Sequence, residues 1–222
     1  MVEILDLLGI SVEFPAGQTC CGQPAFNSGY WDEARTVVRN FAKTFEPYDW
    51  SICPSGSCTA MCRVFYDHLF PDDPTIPDIG RRVVEFTEFL VNVLHVTDLG
   101  ASFPHSCTLH IGCHGRRELG IVNQPVELLK AVRGLEYREL PDMEDCCGFG
   151  GTFSVKFPDL SIDMGRTKAQ NIAATGAEYV VSIDSSCLMH IGGILQRDPE
   201  KRHIRPIHIA EVLNHREKGG DA

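Results

Sequence analysis

The sequence predicts an α/β protein built from two similar units in tandem, with mostly parallel sheets and crossover helices. Cys-Cys-Gly occurs twice, at residues 20–22 and 146–148, and each copy follows a proline by five positions. After each copy come a segment with helical spacing of apolar residues, a strand-like segment and a loop with another cysteine. Alternating strands and helices are typical of parallel sheets with crossover helices. Two fused copies of one unit explain this pattern better than chance.

Local patterns predict two strands and two helices in the first unit. Ser28 can cap the longer helix and Pro47 can end it. The second helix begins at a Ser-Cys pair, because apolar residues resume at helical spacing behind it. In chain order the elements are a strand at 10–14, a helix at 30–45, a strand at 49–53 and a helix opening at Ser57 and Cys58.

The second unit repeats these elements and carries two more ahead of them. The extra elements are a strand at residues 108–113 that ends in Cys113, and a helical segment at 125–132. The repeated elements are a strand at 134–140, a helix from Pro158 to a stop at Gly176, a strand at 178–183 and a helix opening at Ser186 and Cys187.

The first unit is expected to lack its amino-terminal strand. Gly9 has only eight residues ahead of it, so a counterpart of the strand ending in Cys113 would fall upstream of Met1. Residues 2–8 would then be the end of the helix that follows this strand. We expect the first unit at 1–97, with a connection at 70–83 and an apolar helix at 84–94, and the second unit at 98–222.

Composition and charge limit the classes of partner. The chain has 222 residues, of which 43% are hydrophobic, and a formal net charge of −10. The acidic balance and the lack of basic patches argue against nucleic acid and anionic membranes, and favour proteins or small molecules as partners. No apolar stretch approaches the ~18 residues that span a bilayer, and the amino terminus does not resemble a signal peptide. These features predict a cytoplasmic protein with no membrane span.

Ten cysteines are an unusual number for a cytoplasmic chain, where thiols are kept reduced. Metal or redox chemistry is therefore the leading interpretation. No two cysteines stand in a C-x-x-C relation, which excludes thioredoxin, zinc-ribbon and ferredoxin-type motifs. The Gly-rich residues 148–151 do not complete a dinucleotide-binding motif, so flavin or nicotinamide binding is unsupported. A cysteine nucleophile at Cys58 with a histidine base remains a minor alternative.

Four second-unit cysteines follow predicted strands directly or by one short loop. The carboxyl ends of parallel strands lie at one sheet edge, so their thiols are expected to converge there. An all-sulfur site suits zinc or an iron–sulfur cluster, and adjacent cysteines favour the cluster because they can reach different irons. The candidate ligands are Cys113, Cys146, Cys147 and Cys187.

Other cysteines and histidines have simpler interpretations. Three cysteines without a partner in the repeat are expected to be core residues: Cys53, Cys62 and Cys107. Three histidines near the second site are expected to be hydrogen-bonded neighbours rather than ligands: His110, His114 and His190.

The pattern of Cys113, the Cys146-Cys147-Gly148 string and Cys187 resembles the cysteine-rich CCG domain of the heterodisulfide reductases. The same domain occurs in iron–sulfur subunits of glycolate and glycerol-3-phosphate dehydrogenases. Longer strings resemble the lactate-utilisation protein A family over nearly the whole chain. These strings are residues 19–25, 54–58, 117–120, 146–154 and 187–190.

The resemblance implies a cytoplasmic iron–sulfur protein, of the 4Fe–4S type, that carries electrons with two other subunits in oxidising L-lactate to pyruvate. It assigns Cys113, Cys146, Cys147 and Cys187 as second-unit ligands, and Cys20, Cys21 and Cys58 as first-unit ligands. Two positions depart from the C-x-x-C that ends the CCG pattern, because Met61 follows Cys58 and His190 follows Cys187. His190 would leave an open iron position. The alternatives are a heterodisulfide-reductase-like enzyme, a glycolate-oxidase-type iron–sulfur subunit and a zinc-bound structural protein.

Overall fold

Two parallel sheets organise the chain, as the predicted α/β class requires. The computed structural model describes residues 1–216. One sheet has two strands and the other has four, in the order β4-β3-β5-β6, and every strand pair is parallel. The strands are β1 (Ser51–Cys53), β2 (Val83–Glu85), β3 (Ser106–His110), β4 (Glu136–Arg138), β5 (Tyr179–Ser182) and β6 (Arg205–His208).

Helices precede and follow these strands throughout the described residues. Two π-helical segments, Met61–Phe65 and Phe89–Val93, continue α4 and α7. No helix in residues 1–216 combines the length and apolarity that crossing a bilayer requires. The helices are α1 (Val2–Leu7), α2 (Gln23–Asn27), α3 (Trp31–Phe45), α4 (Gly56–Ala60), α5 (Tyr66–Leu69), α6 (Thr75–Arg81), α7 (Phe86–Glu88), α8 (Cys113–Arg117), α9 (Asn123–Lys130), α10 (Thr152–Lys156), α11 (Pro158–Ala174), α12 (Ser185–Arg197) and α13 (Ile209–Asn214).

The long predicted helices and the two strands behind them are confirmed, with small shifts at their ends. α3 and α11 match the predicted helices, and β1 and β5 match the strands that follow them. Ser28 does not cap α3, because the separate helix α2 precedes it and Tyr30 stands at the start of α3. β3 ends at His110, so Cys113 is the first residue of α8 and not the last residue of a strand.

The strand predicted at residues 10–14 is wrong. Those residues have no strand structure, whereas the corresponding segment of the second unit forms β4. β4 pairs only with β3, and the described part of the first unit has no strand in the place of β3. A strand needs a neighbour for its backbone hydrogen bonds, so the segment stays irregular even though its local pattern favours a strand.

Residues 70–83 are not an irregular connection, and the helix expected at 84–94 begins later. The segment contains α6 and ends at the first residue of β2. Val83 and Val84 are buried and pair with Ser51 and Ile52 of β1. Val83 and Val84 are β-branched, and such residues favour a buried strand. This preference outweighs the helical spacing of apolar residues that predicted a helix from residue 84. The division of the chain at 97/98 stays a prediction.

The largest apolar core is shared by both units. Ile4 and Leu5 of α1 belong to the same core as Leu109 of β3 and Val212 of α13. α1 contacts α13, and α7 contacts α9, so helices of the first unit pack against helices of the second. Two smaller cores lie under α3 and between α11 and α12. Beside this core, Ser55, which follows β1, donates a hydrogen bond to Asp184, which follows β5.

Candidate metal centre

The second unit brings its four predicted cysteines to the carboxyl edge of the four-stranded sheet. Cys113 begins α8 just after β3, and Cys187 is the third residue of α12 just after β5. The pair Cys146 and Cys147 lies in the loop between β4 and α10. Since β4, β3 and β5 are adjacent parallel strands, the three connections that follow them meet at one edge.

These four side chains form the second thiol set, in which neighbouring thiols shift each other's pKa. The thiols of Cys113 and Cys147 act on the pKa of Cys146. The thiols of Cys146 and Cys187 act on the pKa of Cys147, and the sulfurs of Cys147 and Cys187 lie within 4.8 Å of each other. Cys147 is buried, while the other three are partly exposed. Four sulfurs from three separate segments are thus brought together.

The second thiol set favours a thiolate at Cys146. Hydrogen bonds from Cys113 and Cys147 lower the pKa of the Cys146 thiol to about 2, against the opposing effect of burial. The amide of Gly148 also donates to Cys146 Sγ, at 3.3 Å. Hydrogen bonding to Cys146 raises the pKa of both Cys113 and Cys147. Because thiolates are the metal-binding form of cysteine, the set offers one charged ligand that its neighbours stabilise.

Two basic side chains, His110 and Lys168, lie near these thiols, and the sequence did not indicate Lys168. The expectation that His110 is a hydrogen-bonded neighbour is wrong, because both of its ring nitrogens lack a hydrogen-bond partner among the described residues. His110, the last residue of β3, lies with one ring nitrogen and the sulfurs of Cys147 and Cys187 all within 4.8 Å of one another. Burial lowers the pKa of His110 to about 4. Lys168 of α11 is fully buried and donates to the carbonyl oxygen of Asp142 at 2.7 Å. Helical spacing alone does not distinguish Lys168 from an exposed lysine.

The other two histidines differ in their surroundings. His190 Nε2 lies 3.3 Å from the carbonyl oxygen of Ser161 and 3.5 Å from its hydroxyl, which confirms a hydrogen-bonded neighbour. The ring of His114 packs edge-on against Phe65, with centroids 6.0 Å apart, and its buried Nδ1 lacks a hydrogen-bond partner among the described residues, so the same expectation is not confirmed for His114. Neither joins the group of candidate ligands found within the described residues.

The first unit gathers a comparable group of cysteines, the first thiol set. Cys21 is buried, Cys20 and Cys58 act on its pKa, and Cys53 acts on the pKa of Cys58. These contacts from Cys21 and Cys53 lower the pKa of Cys58 to about 3. A hydrogen bond from Cys21 lowers the pKa of Cys20 to about 6. Cys58, like Cys187, is the third residue of a helix that directly follows a strand.

Cys53 was expected to be a core residue, and it packs against the apolar core under α3 while it also interacts with Cys58 of the first thiol set. It ends β1 and is partly exposed, with its sulfur 3.6 Å from the carbonyl oxygen of Ser55. The other two core predictions are confirmed, because Cys62 and Cys107 are buried in apolar clusters. The position of Cys53 at a strand's carboxyl end was the signal that could have identified it.

The two thiol sets lie on either side of a tightly packed polar contact between the units. Ser55 Oγ donates to Asp184 Oδ1 at 2.7 Å, and the amide of Ser57 donates to the same oxygen at 3.1 Å. A side-chain carbon on Gly56 would lie 2.9 Å from Gly115 Cα. α4 and α8 therefore approach each other through glycines, and larger residues would separate them.

Comparison with known proteins agrees with the repeat. A family model described as a cysteine-rich domain, CCG, matches residues 1–63 and 107–192. Lactate utilization protein A of Oceanobacillus iheyensis is 46% identical over 100% of this chain and 91% of its own length. The protein of that name from Bacillus subtilis is 47% identical over 97% of this chain and 91% of its own length. The chain belongs to the lactate utilization protein A family. Both thiol sets lie within the matched residues.

The donor set fits a metal or iron–sulfur centre in this family member. Sulfur ligands in both sets, with a buried imidazole in the second, are the donors that iron–sulfur clusters and zinc take. The residues that could hold such a group are the second thiol set with His110, and the first thiol set.

Proposed function

We propose that this chain is an iron–sulfur, electron-transfer subunit of a cytoplasmic complex that oxidises L-lactate to pyruvate. The observation that carries the proposal is the convergence of Cys113, Cys146, Cys147 and Cys187 at the carboxyl edge of one sheet, with the sulfurs of Cys147 and Cys187 within 4.8 Å of each other. The name of these relatives, lactate utilization protein A, supplies the link to lactate.

A multinuclear cluster fits the arrangement of the vicinal pair. Cys146 interacts with Cys113, whereas Cys147 interacts with Cys187. The two sulfurs of the vicinal pair therefore have different neighbours within the set. That arrangement suits ligation of different irons in a 4Fe–4S type of cluster. Such a cluster, when bound, accepts and releases single electrons, while oxidation of lactate to pyruvate releases two electrons and two protons. The remaining subunits of the complex would bind lactate and the final acceptor.

The protein's own residues would hold and shield the centre. Cys113, Cys146, Cys147 and Cys187 would be ligands, and Cys20, Cys21 and Cys58 would be ligands of a first-unit centre that Cys53 can complete. Lys168, buried near the second thiol set, places a positive charge where thiolates accumulate.

A zinc-bound structural protein is the second candidate. The grouping of His110, Cys147 and Cys187 within 4.8 Å also suits a single tetrahedral ion with mixed nitrogen and sulfur ligands. In that case the protein would be colourless and redox-silent.

Anaerobic purification followed by metal and acid-labile sulfide analysis separates the two candidates. We expect iron and sulfide, and an electron paramagnetic resonance signal that changes between oxidised and reduced samples. Cys147→Ser should remove the second-unit signal and its iron, whereas Cys107→Ala, in the core of β3, should leave both. Zinc without sulfide would overturn the electron-transfer proposal.

The link to lactate needs a separate experiment. A tagged chain isolated anaerobically from cells grown on L-lactate should bring down further subunits, and added L-lactate should reduce the bound cluster. The Cys147→Ser chain is the matched control for reduction. Failure of L-lactate to reduce an intact complex, with glycolate reducing it instead, would favour the glycolate-oxidase-type alternative.

A further inference from the structure

His110 is a buried histidine whose two ring nitrogens both lack a hydrogen-bond partner among the described residues. Its side chain is only 1% exposed. A buried polar group without a partner is destabilising, so folded proteins rarely leave both nitrogens of an imidazole unpaired. Such a ring points to a partner that protein atoms do not supply.

The position of His110 shows where this partner would lie. His110 ends β3 and pairs in register with Ser182 of β5, at the edge where the second thiol set gathers. One ring nitrogen and the sulfurs of Cys147 and Cys187 lie within 4.8 Å of one another. The imidazole therefore faces the same space as two thiols of the set.

Two other polar side chains near this space, Lys168 and His190, have partners. Lys168 donates to the carbonyl oxygen of Asp142, and His190 lies against Ser161. His110 is thus distinguished from His190, which protein atoms satisfy. The contrast between the two rings favours His110, and not His190, as a residue that binds a ligand.

We propose that His110 is a direct ligand, through a ring nitrogen, of the metal centre held by Cys147 and Cys187. This inference rests on the proposed metal binding of the second thiol set and adds to it a nitrogen ligand. The ligand class is a transition-metal centre that accepts both thiolate and imidazole, which iron in a cluster and zinc both do.

A nitrogen ligand would make the two centres chemically different. Within the described residues, the first thiol set contains only sulfur donors. Replacing a thiolate by a neutral imidazole removes negative charge and raises the reduction potential of an iron–sulfur centre. Electrons would then settle preferentially on the second-unit centre.

Pulsed electron paramagnetic resonance tests the nitrogen ligand directly. The full chain would carry Cys20→Ser and Cys21→Ser to silence the first thiol set, and ring-¹⁵N histidine would be incorporated. We expect a strongly coupled nitrogen that changes with the isotope and disappears in His110→Ala. The same coupling should persist in His190→Ala, the matched control.

A second variant keeps the test decisive if His110→Ala fails to fold. His110→Cys supplies a sulfur ligand at the same place, so it should retain the iron, lose the nitrogen coupling and lower the midpoint potential. A cluster that assembles without any histidine nitrogen coupling would overturn the His110 inference and leave the proposed function standing. Zinc without sulfide would overturn the proposed function but not the His110 inference. In that case, zinc-edge X-ray absorption should show a nitrogen ligand that is lost in His110→Cys. If no such nitrogen ligand is seen, the His110 inference is wrong as well.

Discussion

Ser55 and Asp184 occupy the same place in the two units and bond to each other. Each residue precedes a helix, α4 or α12, and each lies three positions before a cysteine of its thiol set. Ser55 Oγ donates to Asp184 Oδ1 at 2.7 Å and accepts from the amide of Cys58 at 3.3 Å. The start of one cysteine-bearing helix is thus fixed to the start of the other.

Ser55→Ala should destabilise the metal-free chain by about 1–3 kcal/mol. It removes the cap of α4 and leaves the buried carboxylate of Asp184 with one donor fewer. Urea unfolding under reducing conditions measures the change in free energy. Ser11→Ala, at an exposed position, is the control, and an equal effect of both substitutions would contradict a bridging role for Ser55.

Glu85 should make stability depend on pH between about 4.5 and 7. The residue is fully buried, and burial raises its pKa from 4.5 to about 7, with further repulsion from Asp184. A raised folded-state pKa means that the folded chain binds the proton more tightly than the unfolded chain. The contribution is complete below pH 4.5 and is lost as the pH rises through 7, by about 3 kcal/mol.

Glu85→Gln should remove this part of the pH dependence. Unfolding free energies of both proteins, measured from pH 4.5 to 8, should differ in slope through this window and run parallel above it. Parallel curves across the whole range would show that Glu85 keeps an ordinary pKa.

Gly148→Ala should be more destabilising than Gly22→Ala, although both glycines follow a cysteine pair. Both have positive φ, 87° and 90°, where a side chain adds roughly 1–2 kcal/mol of strain. A carbon on Gly148 would also lie 2.4 Å from the backbone oxygen of Ser161, whereas one on Gly22 meets a methyl group of Val38 at 3.0 Å. The urea midpoint should therefore fall further for Gly148→Ala. If Gly22→Ala lowered the midpoint more, the backbone at Ser161 would move away from an added methyl group more easily than the Val38 side chain does.

Cys53→Ser should weaken metal binding by the first thiol set. The Cys53 thiol contacts Cys58 and helps to hold its pKa low, so its loss removes a candidate ligand and a hydrogen bond. We expect affinity to fall by about tenfold or more. The measurement is bound metal per chain in a Cys147→Ser background.

Cys62→Ala is the control for Cys53→Ser. The Cys62 sulfur lies 3.3 Å from the Tyr66 hydroxyl and is buried in the apolar core below the first thiol set. It should leave the bound metal unchanged. A similar loss of metal in both variants would assign Cys53 a packing role only.

The linear sequence predicted the repeat, the amphipathic helices and the identity of most thiols that meet. Spacing between the two Cys-Cys-Gly strings and period 3.6 in α3 and α11 are local properties, so they can be read without coordinates. The convergence of Cys113, Cys146, Cys147 and Cys187 followed from one general rule, that parallel strands end at the same edge.

The sequence by itself determined the α/β class, the two-unit pattern and the thiols, because these depend on residue type and spacing along the chain. Only the tertiary structure decided that residues 10–14 form no strand, since pairing depends on a neighbour elsewhere in the fold. It also decided that Cys53 joins Cys58 and that His110 lies unpaired beside Cys147. Contacts between distant segments create these environments, and no local pattern encodes them.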